Sequence, residues 1–203
     1  MLDRSLRTVK DRALHPVAAR LARRVSAGWL TALALVAGLA TAGAAAADWR
    51  VGAVLLWWLS RLLDGLDGPV ARARGRQRDL GGYLDILGDS VGYAAIPIGI
   101  AVGQGRSAVW IACAVLMAAF YLNTLSWTYL AAVAEKRATG ASATGETTSV
   151  HMPTGLVEGT KTIVLFTIML AWPGLSVLWF VTMAAMVGVT ILQRVAWAAR
   201  NLR

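Results

Sequence analysis

Residues 51–102 read VGAVLLWWLSRLLDGLDGPVARARGRQRDLGGYLDILGDSVGYAAIPIGIAV. An apolar run enters at Val51 and another leaves at Val102. Between them lie five of the chain's eleven acids: Asp64, Asp67, Asp79, Asp85 and Asp89. Asp64 stands 13 residues after Val51, and Asp89 stands 13 before Val102. On a helix each distance is about 20 Å at ~1.5 Å per residue. Both acid pairs therefore reach a similar depth in a hydrocarbon core of roughly 30 Å, toward its cytoplasmic side. Asp64 and Asp67 are spaced i,i+3, and Asp85 and Asp89 i,i+4, so each pair shares one helix face. Two antiparallel neighbouring helices would aim four carboxylates at one point.

The rest of the chain supports a membrane setting. Of 203 residues 57% are hydrophobic, and the mean hydropathy is +0.58, well above the apolar share of soluble domains. We expect an all-α integral membrane fold in one domain, 1–203, with a leader at 1–24 and a six-helix bundle over 27–198. The expected spans are 27–47, 50–72, 81–103, 107–133, 154–172 and 175–198. The short connections at 47–50, 103–106 and 173–174 hold only Arg50 and Arg106, while the opposite ends hold the other 18 of the 20 basic residues. That asymmetry accounts for the net charge of +9 without nucleic acid. It predicts a multi-pass cell-membrane protein with both termini cytoplasmic and the acids opening to the cytoplasm. Trp49, Trp110 and Trp172 fall where an outer aromatic belt would lie.

The leader carries Arg4, Arg7, Lys10, Arg12, Arg20, Arg23 and Arg24. Leu2, Leu6, Val9, Ala13, Val17 and Leu21 recur at steps of three and four, which predicts a basic amphipathic helix lying on anionic lipid. Pro16 breaks or restarts it. This stretch lacks the short apolar core and small-residue cleavage site of a signal peptide. Cys113, the only cysteine, excludes an intrachain disulfide and a cysteine metal site, and reads as a core residue. Residues 136–150 read as a polar cytoplasmic loop.

Four carboxylates inside a membrane require counter-charge. Arg61 and Arg72 offset part of it. Two divalent cations balance it fully, and oxygen ligands suit Mg²⁺ or Mn²⁺, with Ca²⁺ also compatible. A pair of such ions is a device for displacement at phosphorus. Gly68, Gly81 and Gly82 would let a ligand approach the backbone, while Gly65 and Gly88 would help helices pack. A cation or proton pathway is the rival reading, but it would need charges deep in several helices, and outside the second and third there are almost none.

The spacing D-x-x-D-G-x-x-A-R-x8-G-x-x-x-D-x-x-x-D runs without a gap through Asp64, Asp67, Gly68, Ala71, Arg72, Gly81, Asp85 and Asp89. It resembles the signature of the CDP-alcohol phosphotransferases, and the six apolar runs and basic leader extend the resemblance over nearly the whole chain. The resemblance implies transfer of a phosphatidyl group from CDP-diacylglycerol to an alcohol, with release of CMP. It implies that Asp64, Asp67, Asp85 and Asp89 hold two divalent cations, that Asp89 is the general base, and that Thr31, Gly68, Ala71, Arg72 and Gly81 line the CDP site together with Asp64, Asp67 and Asp85. It also implies a homodimer. One departure is the first-helix stretch Pro-Asn-x-x-Thr, where Ala27-Gly28-Trp29-Leu30-Thr31 keeps only the threonine. Thr31 thus serves either the nucleotide or simply the helix start. No motif acid is lost, which argues against an inactive scaffold, while a hydrolase using water remains a secondary reading.

The acceptor is less legible. Glu158 and Lys161, i,i+3 at the start of the fifth helix, either pair with each other or orient and bind an acceptor phosphate. Lys136 and Arg137 lie on the same side. Such cations favour a phosphorylated acceptor such as glycerol 3-phosphate or inositol phosphate. His151, alone in its loop, reads as an ordinary loop residue.

Overall fold

In the computed structural model, residues 16–75, 79–137, 156 and 159–202 are described. They include six helices: α1 (Ala27–Ala46), α2 (Arg50–Ala73), α3 (Asp79–Gln104), α4 (Ser107–Lys136), α5 (Gly159–Ala171) and α6 (Ser176–Asn201), with a 3₁₀ turn at Pro173–Leu175 before α6. No strand occurs among the described residues. Of the expected leader, residues 16–21 are helical, and residues 1–15 lie outside the described residues, as do His151 and Glu158.

α1, α3, α4 and the 3₁₀ turn with α6 are each long and apolar enough to cross a membrane. The other two expected spans differ for separate reasons. α2 has 24 residues, about 36 Å at ~1.5 Å per residue, but it carries Arg50, Arg61, Asp64, Asp67 and Arg72. α5 has 13 described residues from Gly159, about 20 Å by the same rise, and the start of the expected span at 154 lies outside the described residues. Large apolar side chains such as Val36, Leu55, Ile111 and Leu192 are exposed, which suits a surface solvated by lipid rather than water.

The chain divides into two compact units. The first takes the described residues through Arg106 together with Phe166–Ser176. Within it, Ser26 caps α1, its hydroxyl accepting from the Trp29 amide at 3.4 Å. Gly75, at φ +60°, ends α2 in the left-handed conformation, and Gly105 does the same after α3. α1 and α3 meet closely. A Cβ on Gly99 would collide with the Ala42 carbonyl, and one on Gly103 with that of Ala45, so these glycines set the approach of the two backbones. α1 and α2 are joined by the Ser60 hydroxyl, buried and donating to the Ala34 carbonyl at 2.8 Å. At the other end Ala18, Leu30, Leu66 and Val70 form a buried apolar cluster, and the Arg74 guanidinium donates to the Ala22 carbonyl at 2.6 Å. Trp57 is buried, stacks on Phe166 with centroids 5.2 Å apart, and donates to Thr167 at 3.2 Å.

The second unit takes the described residues of Ser107–Leu165 and Val177–Arg203. Val109, Ala112, Cys113 and Leu116 of α4, and Phe180, Met183 and Val187 of α6, are buried. Cys113 is a free, buried core residue, as its sequence setting predicts. Trp110 is exposed here, as are Trp49 and Trp172 in the first unit.

Candidate metal and nucleotide site

The site lies wholly in the first unit, on the N-terminal part of α1, the C-terminal half of α2 and the N-terminal half of α3. These helices run so that Asp64, 14 residues into α2, and Asp89, 15 residues before the end of α3, stand at similar heights. One carboxylate oxygen from each of Asp64, Asp67 and Asp85 lies within 4.8 Å of the other two. Hard anionic oxygens at such separations fit a divalent cation of the Mg²⁺ or Mn²⁺ type. The residues predicted from spacing are therefore brought together, although Asp89 stands outside that trio.

Asp89 has a different partner. One Nη of Arg61 donates to its Oδ1 at 2.7 Å and lies 3.7 Å from Asp64 Oδ2. The Tyr93 hydroxyl approaches the other Asp89 oxygen at 3.5 Å. Arg61 is held on all sides. Its other Nη donates to Ser60 Oγ at 3.3 Å, and its guanidinium carbon lies 4.7 Å from the Trp57 ring centroid and 5.7 Å from that of Tyr93. A small pocket opens among these groups, with Thr31, Ser60, Arg61, Asp64, Asp85 and Asp89 among the residues of its wall.

Thr31 stands beside a motif acid. Its hydroxyl is 2.7 Å from Asp67 Oδ2 and 3.2 Å from the Ala27 carbonyl. The α1 residue thus aims an α2 carboxylate. Of the glycines expected at the nucleotide, Gly81 faces open space, while a Cβ on Gly68 would stand 3.4 Å from an Arg72 Nη. Ala71 is half-buried and Arg72 exposed.

The expected acceptor residues belong to the second unit. Lys136 is exposed in the last turn of α4. Arg137 donates to the Leu202 carbonyl at 2.9 Å and the Asn201 carbonyl at 3.5 Å. Lys161 donates to the Leu156 carbonyl at 2.7 Å. The expected Glu158–Lys161 pair falls partly outside the described residues. Arg194 has a setting that basic-end counting does not reveal. It is buried and donates to Asn123 Oδ1 at 2.6 Å and Ser126 Oγ at 3.3 Å. Its place in an otherwise apolar run of α6 was the available signal.

The chain is 32% identical over 181 residues to inner membrane protein YnjF of Escherichia coli, covering 89% of this chain and 84% of that one. It is 41% identical over 97 residues to archaetidylinositol phosphate synthase of Methanothermobacter thermautotrophicus, covering 48% of this chain and 49% of the relative. The fold resembles that of phosphatidylinositol phosphate synthase of Mycobacterium tuberculosis. With CDP-DAG bound, that structure gives a TM-score of 0.71 at 21% identity over 91% of this chain and 92% of that one. In complex with manganese and citrate it gives 0.69 at 20% identity, covering 89% and 86%. The family profile described as CDP-alcohol phosphatidyltransferase matches residues 24–195, and with its acids gathered on α2 and α3 this multi-pass membrane chain belongs to that family of enzymes.

Proposed function

We propose that the protein transfers the phosphatidyl group of CDP-diacylglycerol to the hydroxyl of a small phosphorylated alcohol, with inositol phosphate favoured, and releases CMP. The observation that carries this reading is the meeting of Asp64, Asp67 and Asp85 within 4.8 Å, beside a pocket that also contains Asp89. Relatives and structural neighbours named for inositol phosphate products support the acceptor class.

In this reading Asp64, Asp67 and Asp85 hold the first of two divalent cations, and Asp89 contributes to the second. Bound there, such ions would supply the positive charge that neutralises the pyrophosphate and the departing CMP. Asp89 accepts the proton of the acceptor hydroxyl. The acceptor oxygen then bonds to the phosphorus of the phosphatidyl group while the bond from that phosphorus to the CMP oxygen breaks. Thr31 orients Asp67, and Gly68, Ala71, Arg72 and Gly81 flank the nucleotide. Lys136, Arg137, Lys161 and Glu158 remain candidates for the acceptor phosphate. The chain acts as one membrane domain over 1–203, in a homodimer, with termini and site on the cytoplasmic side.

The test follows CMP release from CDP-diacylglycerol by detergent-purified protein with Mg²⁺ or Mn²⁺. Acceptors include inositol phosphate, glycerol 3-phosphate, serine and water alone, with Asp89→Asn as control. Metal-dependent release confined to one alcohol and lost in the variant is the expected result. Release that needs no alcohol would identify a hydrolase, and folded, metal-loaded protein that releases no CMP with any acceptor would refute the transferase reading.

A further inference from the structure

Arg61 is a cation placed in the middle of the aspartate centre, and the family spacing assigns it no role. Its side chain is only 9% exposed. It makes the shortest ion pair of the centre, 2.7 Å to Asp89, against 3.7 Å to Asp64. Its position is not loosely chosen. Trp57, beneath it, is itself fixed by Phe166 and Thr167, so the guanidinium rests on a rigid aromatic face. Yet its Nε is buried without a hydrogen-bond partner.

We propose that Arg61 is a positioning residue that serves as the resident counter-cation of Asp89 and imposes an order on metal loading, a proposal that rests on the transferase reading above. The first divalent ion enters at Asp64, Asp67 and Asp85, whose carboxylates are already close. Asp89 reaches the second ion only by exchanging its bond to Arg61 for a bond to metal. The second ion therefore binds more weakly than the first. The charge balance gives the arrangement a use. Four aspartates with two divalent ions are neutral, and the added guanidinium leaves the loaded centre with a positive charge for an incoming pyrophosphate.

Mn²⁺ titration of detergent-purified protein, with free Mn²⁺ counted by electron paramagnetic resonance, reads this directly. Wild type is expected to bind in a tight and a weak step. Arg61→Met keeps the length of the stem without the charge and should tighten the weak step by about tenfold or more, since a close opposite charge is removed from competition in a low-dielectric site. Arg61→Lys, which keeps the cation, should stay near wild type, and Asp89→Asn should retain the tight step and lose the weak one. Unchanged Mn²⁺ binding in folded Arg61→Met overturns the proposal. If that variant does not fold, Asp89→Asn still decides, because loss of its tight step would place Asp89 with the first ion. CMP release by wild type is measured alongside. Two-step Mn²⁺ binding without CMP release would remove the transferase reading and leave the loading order standing, whereas CMP release with two equal Mn²⁺ steps would do the reverse.

Discussion

Thr31→Val is the sharpest probe of how the site is held together. Valine matches threonine in shape and removes only the hydroxyl, so neighbouring packing on α1 is kept. What is lost is the 2.7 Å bond from Thr31 Oγ1 to Asp67 Oδ2. Hydrogen bonds to charged groups contribute about 1.5–3 kcal/mol. Both residues here are partly exposed and Asp67 has further interactions, so the lower end applies. About 1.4 kcal/mol is a factor of ten in an equilibrium constant, and Mn²⁺ affinity at the trio should therefore fall roughly tenfold. The assay is the Mn²⁺ titration, paired with CMP release over a range of CDP-diacylglycerol concentrations. Saturating metal should restore most of the rate, because the variant keeps every carboxylate. Wild-type Mn²⁺ affinity combined with a raised KM for CDP-diacylglycerol would refute the reasoning, since Thr31 would then contact the nucleotide rather than aim Asp67.

Three further outcomes are expected. Mn²⁺ at a hundred times its Kd should raise the stability of the folded chain by about 2.7 kcal/mol, seen as a higher Tm in detergent, and Asp85→Asn should abolish most of that rise. Gly99→Val should destabilise the first unit by about 1–3 kcal/mol through overpacking, because its new side chain meets the Ala42 backbone; Gly92→Ala, where a Cβ has nothing within 4 Å, should be nearly silent in the same thermal assay. Asn123→Leu removes an acceptor from the buried Arg194 and should cost about 1.5–3 kcal/mol, with part of the loss recovered in the Asn123→Leu/Arg194→Met double variant. A double variant no better than the sum of its singles would refute that coupling.

The periodic and charged features were legible because they are local. Asp64 with Asp67, and Asp85 with Asp89, fall on shared faces by helix geometry alone, and the long apolar runs set α1, α3, α4 and α6 to within a few residues. α3 begins at Asp79 rather than 81, which puts an acid in its first turn, where the helix dipole favours it. Features that depend on a distant partner were harder to read. Gly65 is buried as a packing position would be, yet a Cβ on Gly88 would meet nothing, while Gly99 and Gly103 make the close approach to α1. A glycine reads the same whether it faces lipid or a backbone. Likewise the sequence offers Arg61 as a general offset of charge. Its specific bond to Asp89, 28 residues away, exists only once α2 and α3 are side by side.

The polar bonds of the first unit also explain why its site and its packing are one problem. Lipid supplies no hydrophobic force between helices, so close contact and interhelical hydrogen bonds must hold them. Ser60 to Ala34 and Thr31 to Asp67 join α1 to α2, and Arg61 to Asp89 joins α2 to α3. Two of these three bonds end on a motif aspartate. α1, which contributes no acid of its own, nevertheless determines where Asp67 points, and α2 determines where Asp89 points. Opposing this, the acids on α2 and α3 repel one another across the same interface. Arg61 is the one positive side chain in the pocket wall, and it relieves the repulsion at Asp89 more than at Asp64. The centre is therefore asymmetric by construction: three carboxylates face one another while the fourth is paired with the chain's own charge.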